Sequence, residues 1–229
     1  MRSPESVFED LEADRASREA EMRLIDRLIQ AAASANEQAM LKRSLILLMY
    51  AHLEGFCKFS LLSYTSALNA LGLTCAEASY PVAAATLHKV FAALRDPNSK
   101  HETFRNRMPD DTQLHLSARE QMFVESYERI TAHKVDIPDQ VVDTKSNLSP
   151  DVLKKLLFQL GLDCLSIEVH RSNISKLLGI RNAISHGDRL LIPSDQALSD
   201  YLATTLAIMA FMQGEIYSAL SGRKYLKSA

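Results

Sequence analysis

Leu177-Leu178-Gly179-Ile180-Arg181-Asn182-Ala183-Ile184-Ser185-His186-Gly187-Asp188 is the stretch around which the 229-residue chain is organised. Ile174, Leu177, Leu178 and Ile184 recur at three- and four-residue spacings, the period of an amphipathic helix, and Gly187 stands where such a helix ends in a left-handed cap. Onto this helix end the chain places an arginine, an amide and, four residues after the amide, a histidine. That spacing puts Asn182 and His186 on one face, with Arg181 a step around the cylinder. Two readings stay open for these residues. Cationic side chains near a helix C-terminus commonly serve the terminal carbonyls, and the same groups make a set able to handle a phosphate. Arg95 and His101 form a similar pair, but Pro97, Asn98 and Ser99 break the helix between them.

On either side the chain reads as helices. Ser3-Pro4-Glu5 opens the first, with a hydroxyl cap, a proline at the first position and an acid by the positive dipole end. Its middle, Glu12 to Glu21, is nearly all charged or small and reads as a solvated face. A long second helix is expected from about Asn36 to Leu71, ending near Gly72. Its centre, Leu45 to Ala51, is apolar all round and therefore belongs in the middle of a bundle. Tyr50, Glu54 and Lys58 fall on it at successive turns, and an i,i+4 Glu54–Lys58 pair is the simplest use of the last two.

Pro81 to Arg95 reads as a third, alanine-rich helix. Between Asp96 and Asn147 the chain carries Pro97, Pro109 and Pro138, and only Ser117 to Ile130 has helical character. Residues 96–147 are read as a loop insertion, whose Lys100, His101, Arg105 and Arg107 are more simply a solvated charged loop than a phosphate contact. Ser149-Pro150 starts a further helix that stops at Gly161, another begins near Ser172, and Ser194-Asp195 caps a last one running to about Leu220. No strand-like alternation appears. The expected fold is all-α, a helical bundle with long N-terminal helices, forming one domain over residues 1–229.

Composition narrows the function classes. The net charge of −2 provides no global attraction for nucleic acid, so any such binding needs a local patch. Cys57, Cys75 and Cys164 are far apart and odd in number, which reads as reduced, buried thiols. The charged segment Met1 to Ala20 lacks the apolar core of a signal peptide. His52 and Lys58 interrupt the longest apolar run, so no membrane span and a cytoplasmic location are expected. The seven histidines include no i,i+4 pair, there is no Gly-x-Ser-x-Gly, and the seven glycines do not cluster into a phosphate loop. Metal ligands are expected to be none, and no cofactor is expected.

Arg181-Asn182-x-x-x-His186-Gly187 resembles the signature of the HEPN superfamily, whose ribonucleases carry arginine, a polar residue, and histidine four to six residues after the arginine. Tyr50-Ala51-His52-Leu53-Glu54-Gly55-Phe56-Cys57-Lys58 is similar to a helix of the bacterial MAE-type HEPN branch. The stretch from Asn147-Leu148-Ser149-Pro150 to Leu160-Gly161-Leu162-Asp163 is similar to that branch as well. These matches span most of the chain between Met40 and Ala210. The resemblance implies a metal-independent endoribonuclease, toxin-like or acting against phage, that dimerises so that two motifs share one cleft.

The side-chain chemistry suits that task. Histidine can take or give a proton near neutrality, and arginine presents a permanently charged planar fork to phosphate oxygens. Arg181, Asn182 and His186 are thus the expected catalytic residues, with Glu54 supporting Arg181, and Arg189 and Lys58 binding substrate. Ser185 and Asp188 read as capping groups. Expected partners are an RNA substrate, a second copy of the chain, and an antitoxin or defence-system protein. The alternative is a non-catalytic HEPN-like module for binding or dimerisation, in which Arg181 and His186 only stabilise the helix end.

Overall fold

Serine caps start the long helices. Ser3 Oγ accepts the Ser6 N–H at 3.1 Å and opens α1, Pro4–Ala31. Ser34 does the same for Glu37 at the head of α2, Ala35–Asn69, while the Glu37 carboxylate reaches back to the Ala33 N–H, closing the cap from both sides. Ser149 opens α6, Pro150–Gln159, and Ser194 opens α8, Asp195–Ser221. Between them lie α3, Tyr80–Thr86, α4, His88–Arg95, and α5, Thr112–Glu128; α7, Arg171–Ser185, precedes α8. The computed structural model describes residues 2–96, 100, 112–145, 147–188 and 190–227. Among them there is no strand, only two isolated bridges, Thr74 to Lys134 and Ala78 to Leu226. The fold is all-α.

α1, α2 and α8 pack together, and α7 lies against α2 and α8. Val7, Leu11, Met22 and Ile29 supply the buried stripe of α1, and Ile208, Met209, Met212 and Ile216 that of α8. α2 is long and apolar enough to cross a bilayer by length and composition, in spite of His52 and Lys58. Half of its apolar window is buried within the fold, as expected of a helix that is apolar all round and sits between others. Lys42, buried near the start of α2, pairs with Asp195 at the start of α8 at 2.6 Å.

The charged middle of α1 is more than a solvated face. Glu12 accepts from Gln213 of α8 at 2.7 Å, and Arg18, held by Asp14, reaches His52 of α2 at 3.3 Å. Gly55 makes room for it, since a Cβ there would stand 2.8 Å from Arg18 Nη1. The expected helix Pro81–Arg95 is in fact two, broken at Leu87 (φ −83°, ψ 13°). The break lets α3 pack on α6 while α4 packs on α5. Cys164 is likewise outside any helix and only half-buried, whereas Cys57 and Cys75 are buried; all three are free.

Residues following α5 are pinned to the bundle. The Asn69 amide grips Ile137 through both backbone groups, at 2.8 and 3.0 Å, and Val135 donates to the Leu73 carbonyl at 2.7 Å. Val135, Ile137, Val141 and Val142 join the core. Backbone polar groups of an irregular segment must find partners before the segment can be buried, and Asn69 supplies them. The 3₁₀ turn Asp139–Val141 follows directly.

Arg171, at the first position of α7, ties three elements by donating to Glu168 at 2.8 Å and to Asp151 of α6 at 2.6 Å. The bond from Arg171 to Glu168, together with one from Lys154, holds the Glu168 carboxyl down to about 2; the Arg171 bond to Asp151 lowers that carboxyl as well. A carboxyl whose folded value lies below its unfolded one stabilises above the ordinary carboxylate range, and loses that contribution as pH falls through the folded value. The melting-temperature gap between wild type and Arg171→Ala is therefore expected to be fully present above about pH 5 and to close toward pH 2. A gap constant across that window would show that the cluster does not act as an ion network.

Candidate active site

α7 ends as its sequence dictates. His186 is the C-cap, its N–H bonding to the Asn182 carbonyl at 2.9 Å. Gly187 takes φ +96° and donates to Ile184 O, and Asp188 N–H reaches back to Ala183 O. This is the paired-bond cap that a positive-φ glycine permits. The Asp188 carboxylate then accepts from the N–H groups of Leu190 and Leu191 at 3.0 and 3.1 Å, turning the chain away from the helix. The result leaves the His186 side chain exposed, with no hydrogen bond to its imidazole among the described residues.

Arg181, one and a half turns earlier, is held on several sides. Its guanidinium carbon lies 4.0 Å from the centroid of the Tyr50 ring, a cation–π contact. Nη1 donates to Asn182 Oδ1 at 2.9 Å, and Nη2 stands 3.8 Å from Glu54 Oε2. That last contact is an ion pair without a direct hydrogen bond. Glu54 is fixed in turn by the Thr144 hydroxyl, which donates to Oε1 at 2.8 Å. Tyr50 is buried; its hydroxyl accepts the Leu148 N–H at 2.5 Å and faces the Glu54 carboxylate. Burial, with the Glu54 charge adding to it, pushes the phenol up to about 12, so Tyr50 stays protonated and able to donate. Two turns of α2, one turn of α7, Thr144 and Leu148 thus converge around one guanidinium.

The structure brings Arg181, Asn182 and Glu54 together and leaves the His186 side chain exposed, with no hydrogen bond to Arg181. Lys58 is exposed and forms no ion pair with Glu54 or any other described residue. It borders a shallow groove shared with Asp139 and Asp143, carboxylates that disfavour a phosphate beside it. The simple Glu54–Lys58 helical pair is therefore replaced by Glu54–Arg181. Arg189, His101, Arg105 and Arg107 lie outside the described residues. His52 turns toward α1, with Nε2 3.1 Å from Glu21, and burial lowers it below the ordinary histidine value. Among the described residues no group of three His, Cys, Asp or Glu could hold a metal ion.

Two members of this cluster had no role assigned from the sequence. Tyr50 had a visible signal, one turn before Glu54 in the apolar centre of α2. Thr144 had none, since its contact spans 90 residues.

An all-α bundle with Arg-Asn-x3-His at the end of a core-packed helix is the HEPN arrangement. The family model of RiboL-PSP-HEPN matches residues 13–218, a span that contains every residue of the cluster, and the chain belongs to that family. It matches no curated protein and no solved structure.

Proposed function

We propose that this chain is a metal-independent endoribonuclease. The observation that supports the reading best is the preorganised Arg181, stacked on Tyr50 and flanked by Glu54 and Asn182, beside a helix end that presents an unengaged His186. A side chain locked by its neighbours before substrate arrives is what electrostatic stabilisation of a developing charge requires. In the reaction the RNA 2′-oxygen attacks the adjacent phosphorus and gives its proton to a base. The bond from phosphorus to the 5′-oxygen breaks, and that oxygen takes a proton from an acid. Arg181 neutralises the crowded phosphorane, and Asn182 keeps its fork oriented. The products are a 2′,3′-cyclic phosphate and a 5′-hydroxyl.

Two proton transfers and one His186 per chain call for two chains. A homodimer with the two helix ends facing each other across a two-fold axis supplies one histidine for each transfer, since an isologous contact sets a patch against itself. A toxin-like or anti-phage role on cellular RNA, restrained by an antitoxin or defence-system partner, is the biological form of this reading. Purified protein incubated with RNA in excess EDTA tests it. Cleavage is expected to persist, leaving cyclic phosphate and 5′-hydroxyl ends. Cleavage that disappears with EDTA and returns with a divalent metal would remove the acid and base assignment from His186. A stable fold that cuts no RNA would favour the alternative, a HEPN module that only binds or dimerises.

A further inference from the structure

A second surface carries chemistry that the Arg181 cluster does not use. Tyr80 at the start of α3 and Phe158 near the end of α6 are 75% and 70% exposed, large rings offered to solvent on one groove of about 480 Å³. Phe91 and Arg95 of α4 line the same groove, with the Arg95 guanidinium 5.9 Å over the Phe91 ring, and His88 completes that wall. From the C-terminal segment Lys227 places its ammonium 5.3 Å over Tyr80. Among the described residues no carboxylate lines the groove, and neither Arg95 nor Lys227 forms an ion pair. Gln159, also on the wall, has its Oε1 shielded from solvent without a hydrogen-bond partner there. Gly161 (φ +71°) seats α6 against Pro81, since a Cβ would stand 3.2 Å from that ring, and so fixes the two exposed aromatics relative to each other.

Exposed rings interleaved with unpaired cations are the features that hold a single strand of nucleic acid, the rings stacking on bases and the cations following phosphates. The groove and the Arg181 cluster share one stretch of chain. Val141 is part of its lining, and Thr144, three residues on, bonds to Glu54; three residues of extended chain span at most about 10 Å. Carboxylates border neighbouring depressions instead: Asp139 and Asp143 the shallow groove beside Lys58, and Glu120, Glu125 and Glu128 one on α5.

We infer that the Tyr80–Phe158 groove binds the single-stranded RNA next to the scissile phosphate, stacking its bases on the two rings. This rests on the ribonuclease reading for the identity of the strand, but its test does not depend on cleavage. The probe is a short fluorescein-labelled 2′-O-methyl oligoadenylate, whose blocked 2′-oxygen cannot attack, titrated into wild-type protein. Tyr80→Ala and Phe158→Ala are each expected to weaken binding about 5- to 100-fold, and Phe158→Tyr to restore it. Both side chains are exposed, so melting temperatures should match wild type. Binding indistinguishable from wild type in both alanine variants overturns the inference, as does a probe that wild-type protein does not bind. A changed molecular mass in the variants with unchanged probe affinity overturns it too, and assigns the groove to a protein interface. Cleaving protein with insensitive groove variants sinks this inference alone; groove-dependent binding without cleavage sinks the ribonuclease reading alone.

Discussion

His186→Ala protein is expected to lose about 10²- to 10⁴-fold in RNA cleavage, the usual contribution of a positioned proton-transfer group, and to melt with wild type. The second half of that expectation comes from the structure. The imidazole is exposed at the C-cap and makes no hydrogen bond among the described residues, so its removal opens no cavity and strands no partner. Arg181 differs. From the sequence it is a polar residue near a helix end, whose truncation should leave stability alone. In the fold it covers Tyr50 and faces Glu54, so Arg181→Ala removes a packed cation and leaves a carboxylate without its countercharge. Arg181→Lys is the cleaner probe. It keeps the charge but loses the planar fork and its stacking, and cleavage should fall about 10²-fold, in the range seen when one stabilising donor is lost. Mixing His186→Ala with Arg181→Lys protein then tests the shared cleft, because a mixed dimer regains one intact partner of each kind. Wild-type cleavage by His186→Ala protein, or by protein that stays monomeric, would end the two-histidine mechanism.

What could be read in advance divides along a physical line. Helix ends are local chemistry, and Ser3-Pro4, Ser149-Pro150, Ser194-Asp195 and Gly187 mark theirs within a residue or two, because caps act over one turn. The motif helix was legible for the same reason. The break at Leu87 was not, since an alanine-rich run has no local reason to stop; it stops because α3 and α4 have different partners. Nor was the burial of the α1 charges, which depends on Gly55 sitting opposite Arg18 thirty-seven positions away. The site shows the same division. Arg181, Asn182 and His186 are adjacent in the chain and stood out together, and Glu54 stood out as an acid in an apolar helix. Thr144 lies in an irregular segment whose path depends on Asn69 gripping Ile137. A contact of that kind belongs to the tertiary structure and leaves no periodic trace.

Glu54→Ala should be the most destabilising polar substitution in this cluster. The carboxylate accepts the Thr144 hydroxyl, faces the Tyr50 phenol and balances Arg181, with only 18% of its side chain exposed and 25% of the arginine's. Leaving a fully buried charge without its partner costs about 3–5 kcal/mol. Here both groups keep some solvent and the closest N to O approach is 3.8 Å, so about 2–3 kcal/mol is the better expectation. For a chain of this size that lowers the melting temperature by roughly 4–12 °C. Glu54→Gln separates charge from hydrogen bonding. Its amide oxygen can still accept from Thr144, so the fold should persist, while Arg181 loses its countercharge and cleavage weakens. Glu54 touches no substrate in this scheme; it positions Arg181, and the measurement has to isolate that link. A double-mutant cycle of Glu54→Ala with Arg181→Ala should give a coupling energy of about 0.5–3 kcal/mol. The kcat of Glu54→Gln should fall more than its KM rises, because the guanidinium matters most to the phosphorane. Strict additivity in the cycle would detach Glu54 from Arg181 and leave it as Thr144's partner alone.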